Sequence, residues 1–395
     1  MSLTPAVQPQ NLQPGIAPSR LYFLDNLRSF VVLLVVVFHA AMAFMLYVPK
    51  WWYVIDTQQS LGFTIFVIIA DVFIMPIMFL VAGYFGIQSL ARKSHTEFWR
   101  DKGRRIVAPW IAGVLVLAPF LTYFVFLSRS KTPPNYFYFW FHIFFQKMYQ
   151  QAHYWFLGAL ALFYLALFLA CTVFPRLKAL SNRSTRNPAR FLAGFLVANT
   201  AVFLLVHQFT IDTAWIPVGR YLLMIQPTRF SLYVFYFALG VYAYRQRWFG
   251  TDGYRPDPEF WSAMATALGL AVVVHKLAYG SQLGLFPVRV VNDLLHCSFC
   301  LSITLALLGV FQIRFDRTSP LATSMAANSY AIYFIHQLIV QPLNLAIRPL
   351  HCNILLKYLV VAVPAVVLCY LISRYVLAKL PPFAMRRSLQ QSAAL

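Results

Sequence analysis

The stretch Tyr22-Phe-Leu-Asp-Asn-Leu-Arg-Ser-Phe-Val-Val-Leu-Leu-Val-Val-Val-Phe-His39 sets three ionisable residues, Asp25, Arg28 and His39, in a run otherwise suited to hydrocarbon. Such groups cost several kcal/mol in a membrane helix unless they face a bundle interior or a water-filled cavity, so each marks a candidate site. At about 100° per residue, the eleven steps from Arg28 to His39 close three turns to within roughly 20°. Both side chains therefore share one helical face, about 16 Å apart along the axis.

Outward from this helix, the chain of 395 residues is 60% hydrophobic and 11% charged, with 37 Phe and 22 Tyr, a composition that excludes an ordinary soluble domain. About ten stretches are long enough to cross the bilayer: 23–46, 61–90, 106–128, 153–175, 191–208, 228–244, 260–278, 291–312, 324–346 and 354–377. The expected fold is an all-α polytopic membrane protein with these helices in one bundle. Every second loop is basic: Arg92, Lys93, Arg100, Lys102, Arg104 and Arg105; Arg176, Lys178, Arg183, Arg186 and Arg190; Arg245 and Arg247; Arg314 and Arg317; Lys379, Arg386 and Arg387. Short basic loops stay cytoplasmic, so the parity puts both termini in the cytoplasm. The net charge of +21 is dispersed over alternate loops, which argues against a nucleic-acid partner and for contact with the lipid bilayer.

Residues 1–20, rich in Pro, Gln and Ser, read as a disordered cytoplasmic tail, 21–380 as one transmembrane domain without an internal repeat, and 381–395 as a second cytoplasmic tail. Arg20, the apolar core and Ala41-Met42-Ala43 imitate a secretory signal, but Asp25 and Arg28 are foreign to a signal core. Cys171, Cys297, Cys300 and Cys369 fall in spans and Cys352 in an external loop, with no disulfide framework. His296 beside Cys297 and Cys300 does not make a zinc site, and no metal is expected. The segment Tyr136-Phe-Tyr-Phe-Trp-Phe-His142 is too short to span and belongs to the outer interface, suited to cap a cavity mouth. His142, His207, His275 and His351 fall near loop ends and read as solvated.

Five ordered motifs carry a resemblance over almost the full length. They are Leu24-Asp25-Asn26-Leu27-Arg28 followed after ten residues by His39; Ala82-Gly83-Tyr84-Phe85; Arg104-Arg105-Ile106 with Pro109; His153-Tyr154-Trp155-Phe156-Leu157; and Asn328-Ser329-Tyr330-Ala331-Ile332-Tyr333-Phe334-Ile335-His336. In these the chain resembles the membrane-bound acyltransferase type 3 family, whose members acylate sugars and other envelope molecules. The opening Tyr-Phe-Leu-Asp and the Gly-Tyr-Phe ending look most like the branch that modifies periplasmic glucans, with succinyl groups as the known example. The resemblance implies an O-acyltransferase of the bacterial inner membrane. It would take an acetyl or succinyl group from cytoplasmic acyl-CoA, a co-substrate rather than a permanently bound cofactor, to an extracytoplasmic glycan, with glycan-synthesis proteins as possible partners.

Acyl transfer gives each candidate a task. Polyanionic acyl-CoA needs cations near the inner face, where Arg28, Arg104 and Arg105 lie. A sugar hydroxyl must lose its proton in the transition state, and neutral imidazole suits that at pH 7, so His39 is the expected general base. Asp25 is placed to position Arg28 one turn on, and Asp71, mid-span, to orient a histidine or pair with an arginine. His153 and His336 share the depth of His39. Ser329, Tyr333 and His336 are spaced by four and three, hence on one face, suited to hydroxyl binding or oxyanion stabilisation. Trp155 is placed to stack on a sugar ring. Arg229 would hold a succinyl carboxylate only if the sixth span packs against the first. The competing readings are a transporter or flippase, which the absence of repeated halves disfavours, and a structural assembly subunit.

Overall fold

Ser60, Asp257, Ser319 and Asn353 each accept hydrogen bonds from the first free amides of the apolar helix that follows, and Pro258 and Pro320 stand at first helical positions. These local signals punctuate the chain into the helices its apolar runs require. The computed structural model describes residues 20–181, 184–185, 187–250 and 252–383. The expected tails beyond those limits, and Arg183, Arg186, Arg386 and Arg387, lie outside the described residues.

The long helices are α1 (Tyr22–Ala41), α2 (Leu61–Arg92), α3 (His95–Arg129), α4 (Trp155–Val173), α5 (Ala189–His207), α6 (Pro227–Arg245), α7 (Pro258–Tyr279), α8 (Phe286–Arg314), α9 (Pro320–Ile347) and α10 (Ile354–Tyr375). Among the described residues, nine helices are long and apolar enough to cross a membrane. The remaining one, α6, occupies the sixth expected stretch, but its Tyr-rich sequence carries Arg229 and is less apolar.

The largest departure in boundaries is at α3. A capping box, in which Ser94 and Glu97 satisfy each other's backbone amides, starts this helix at His95. Arg104 and Arg105 consequently lie inside the helix, in a π-helical turn at Gly103–Val107, and not in the preceding loop. The aromatic segment 136–147 is helical and packs its Tyr136 and Phe139 rings against Tyr123 and Phe126 of α3. A small antiparallel hairpin pairs β1 (Ile216–Val218) with β2 (Leu223–Ile225), turning through positive φ at Gly219 and Arg220.

Helix α1 packs against α2, α8, α9 and α10, which places its charged face inside the bundle. The closest crossing is α2 with α6: a Cβ on Gly83 would collide with the Phe237 carbonyl, and one on Gly240 with that of Leu80. The glycine of Ala82-Gly83-Tyr84-Phe85 is thus a packing requirement. After α1, residues 45–60 are fastened over the bundle. Asp56 forms a 2.7 Å ion pair with Lys357 of α10, the two side chains 1% and 0% exposed. Arg348 donates to the Ile55 carbonyl, and Arg129 to those of Lys50 and Trp52.

Candidate active site

Helix periodicity brings Arg28 and His39 to one face of α1, and packing against α9 gives each a partner. Arg28 donates to Asp25 Oδ1 at 3.2 Å and to the Ala326 carbonyl of α9 at 3.1 Å. Asp25 also accepts from Arg20 Nε at 2.8 Å. Arg28 therefore projects from a carboxylate one turn back and is latched to a neighbouring helix.

Eleven residues further on, His39 Nδ1 lies 2.9 Å from the Val35 carbonyl and 2.9 Å from His336 Nε2. His336 Nδ1 lies 2.5 Å from the Tyr333 carbonyl. A carbonyl oxygen only accepts, so both Nδ1 atoms carry the proton in the neutral rings. His336 Nε2 must then accept from His39 Nδ1–H, and His39 Nε2 is left with a free lone pair. Applied to His153, whose Nε2 lies 3.0 Å from the Phe334 carbonyl, the same reasoning protonates Nε2 and leaves Nδ1 bare. The ring of His336 sits 4.8 Å from that of His39 and 4.5 Å from that of His153, centroid to centroid. The Tyr333 hydroxyl donates to the His153 backbone carbonyl, closing the cluster. His336 and His153 are buried and His39 is half-buried, so the free Nε2 belongs to the most accessible of the three.

A cavity of about 820 Å³ runs beneath this cluster. One end is basic, with Arg20, Arg28, Arg92, Lys102 and Arg105 against Asp25 and Asp101; the other is apolar, with Val32, Met78, Phe156 and Tyr333. Arg105 pairs with Asp101 at 3.2 Å, and Lys93 pairs with it at 2.9 Å. Arg104 is exposed and stands outside the lining, while Arg92 and Lys102, read from sequence only as topology signals, are within it. Lys102 Nζ lies 4.0 Å over the Tyr164 ring, a cation–π contact invisible to local spacing. Ser329 lines the same cavity, so the face shared by Ser329, Tyr333 and His336 divides between cavity and histidine cluster.

Beyond the histidines lies an aromatic run. Trp52 stacks on His39 with centroids 5.6 Å apart and planes 4° from parallel. Ring contacts continue through Trp51 and Trp215 to Trp155, which stacks on Tyr233 at 5.6 Å. Of these, the sequence reading singled out only Trp155; the adjacent Trp51-Trp52 pair in the short segment after α1 was the available signal for Trp52. Asp71 pairs with Arg229 at 3.0 Å. Arg229 also bonds Asp212, Nε to Oδ1 at 2.8 Å, and α6 packs on α2 and α5. Burial works against a charged Asp212, yet Arg229 and Lys276 outweigh it and hold its carboxyl well below the usual range. Arg229 is already neutralised by two carboxylates and is no free cation for a succinyl group.

His207 corrects an expectation. It is buried, and its Nδ1 lies 2.8 Å from Asp293 Oδ1, because α8 supplies a carboxylate exactly opposite a helix end that looks solvated in sequence. His142 and His351 are exposed, and His275 lies 3.1 Å from the Val288 carbonyl.

Residues 21–374, from α1 into α10, match the family model of an acyltransferase domain, acyltransferase 3. Glucans biosynthesis protein C of Shigella dysenteriae serotype 1 (strain Sd197) is 28% identical over 116 residues, 29% of this chain and 29% of that protein. The protein of the same name from Escherichia coli (strain K12) shows the same identity and coverage. The match thus spans less than a third of these relatives' length. No solved structure matches the chain. A family model covering nearly the whole bundle favours the acyltransferase reading over the transporter: the chain belongs to the acyltransferase type 3 family, and its fold is that of a multi-pass membrane protein.

Proposed function

We propose that this enzyme moves an acetyl or succinyl group from cytoplasmic acyl-CoA to a hydroxyl of an extracytoplasmic glycan, a periplasmic glucan or related envelope polysaccharide, in the bacterial inner membrane. One observation carries the reading: a cavity basic at one end and apolar at the other points at a histidine cluster whose most accessible member, His39, has its Nε2 free to accept a proton. The names of the partial relatives favour a glucan acceptor.

In this reading Arg28, Lys102 and Arg105 hold the donor's phosphates at the basic end. Placing Arg92, Lys102 and Arg105 toward the cytoplasm agrees with the excess of positive charge in alternate loops. The glycan hydroxyl approaches from the aromatic side, past Trp52 and Trp155. His39 Nε2 takes the hydroxyl proton as the oxygen attacks the thioester carbonyl carbon. A C–O bond forms, the C–S bond breaks, and the proton passes from His39 to the departing thiolate, leaving free coenzyme A and the acyl ester. The Val35 carbonyl fixes the His39 tautomer this requires, and His336 restrains the rotation of its ring.

The experiment is mass spectrometry of envelope glycans from wild type, a deletion strain, and the deletion complemented with wild type or with His39→Ala protein. The expected result is an acyl mass lost on deletion, restored by wild type and not by the variant. Glycans that keep every acyl mass in the deletion strain would refute the glycan acceptor.

A further inference from the structure

Four helices run out of the cavity lining at the same depth. The last lining residues are Val32 on α1, Met78 on α2, Phe156 on α4 and Tyr333 on α9. Three of these elements continue directly to the histidines: His39 lies seven residues beyond Val32, about 10 Å along the axis, His336 three residues beyond Tyr333, and His153 three residues before Phe156. None of the three histidines lines the cavity. Among these last lining residues, the rings of Phe156 and Tyr333 meet edge to face with centroids 5.5 Å apart, both residues are buried, and Tyr333 in turn touches the rings of His153 and His336. Phe79 backs Phe156 at 4.9 Å, and the Tyr333 hydroxyl is tied to the His153 carbonyl.

We propose that the Phe156–Tyr333 ring pair is the acyl-size filter of this enzyme: it divides the donor cavity from the base and admits only short acyl groups. The inference rests on the acyl-CoA reading of the same cavity. For a thioester carbonyl to reach His39, its acyl group must enter the space these rings fill. The two leaves are unequal. Tyr333 is anchored by its hydroxyl, and its backbone carbonyl holds His336. Phe156 has no polar anchor and is the ring that yields. In a packed apolar slot each added methylene is resisted by about tenfold or more, so a slot opened by one phenyl ring discriminates steeply by chain length. The closed pair also keeps water from the thioester. With the filter removed, water oxygen replaces the glycan oxygen at the carbonyl carbon, yielding free acid and coenzyme A thiol.

The test uses the full chain in lipid nanodiscs, a gluco-oligosaccharide mixture as acceptor, and acetyl-, butyryl- and hexanoyl-CoA as donors. Thiol release and ester mass are read for wild type, Phe156→Ala and the gentler Phe156→Leu, with thermal stabilisation by coenzyme A reporting folding and donor binding. The expected result is a hexanoyl-to-acetyl rate ratio raised by about tenfold or more in Phe156→Ala and by less in Phe156→Leu, with more hydrolysis per transfer. A folded variant that keeps the wild-type ratio and hydrolysis overturns the filter alone. Wild-type protein inert toward all three donors and toward succinyl-CoA overturns the acyl-CoA reading, and the filter with it.

Discussion

Replacing His336 by leucine separates the base from the residue that positions it. The change removes the acceptor 2.9 Å from His39 Nδ1 but leaves the Val35 carbonyl, also 2.9 Å away, to hold the same proton. The tautomer therefore survives, and what is lost is one hydrogen bond and one restraint on ring rotation. A net hydrogen bond of about 1 kcal/mol corresponds to roughly fivefold in rate, and loosening a ring held by an outer partner raises the loss to about 10- to 100-fold. His39→Ala removes the proton acceptor itself, worth about 10²- to 10⁴-fold. The assay is acyl-ester formation by purified protein in nanodiscs at pH 7 under saturating donor, with thermal melts confirming that each variant is folded. His336→Gln, which keeps an acceptor, should recover much of the loss. The double variant should be no slower than His39→Ala, because His336 acts only through His39. If His336→Leu were as slow as His39→Ala, and His39→Ala retained substantial turnover, His336 would be the base and the tautomer argument would fail.

Three other outcomes follow from the same geometry. Arg105→Ala should raise the KM for the donor by about 3- to 10-fold, a loss moderated by the exposure of that side chain, whereas Arg104→Ala should leave it within about twofold; equal effects would displace the donor from the cavity. Gly83→Ala should cost about 1–3 kcal/mol, read as a lower melting temperature in detergent, because α2 and α6 must separate to admit a methyl group; an unchanged melt would show that the crossing has slack. Lys357→Met strands the buried Asp56 carboxylate and should cost about 3–5 kcal/mol, with much of the loss recovered when Asp56→Leu is added; a melt as high as wild type for Lys357→Met alone would show the pair carries no stability.

The bundle was legible because its signals are local. Apolar runs of span length, polar caps and the alternation of basic loops are read within a few residues of where they act. The shared face of Arg28 and His39 follows from the helical repeat alone, as does the proximity of Asp25 to Arg28. The early start of α3 was legible too, since the capping box at Ser94 and Glu97 stands in the sequence; the apolar run that begins near Ile106 drew the boundary too late.

The site is another matter, because its members come from helices far apart in the chain. Nothing in the spacing distinguishes Arg104 from Arg105. They are neighbours whose directions differ by about 100°, and only the rotation of α3 in the bundle sends one to the cavity and the other outward. His207 looks solvated until α8 places Asp293 against it, and Arg229 looks free until Asp71 and Asp212 close on it from two directions. The sequence by itself determined which segments are helices, which residues share a face and which polar groups have to find partners inside the bundle. Tertiary structure decided which partners they find, that Trp52 lies over His39, and that Phe156 meets Tyr333 in the cavity wall. The reason is physical: periodicity is a property of one helix's backbone, while neighbours across a bundle are set by the side-chain packing of helices whose order in space the chain order does not dictate.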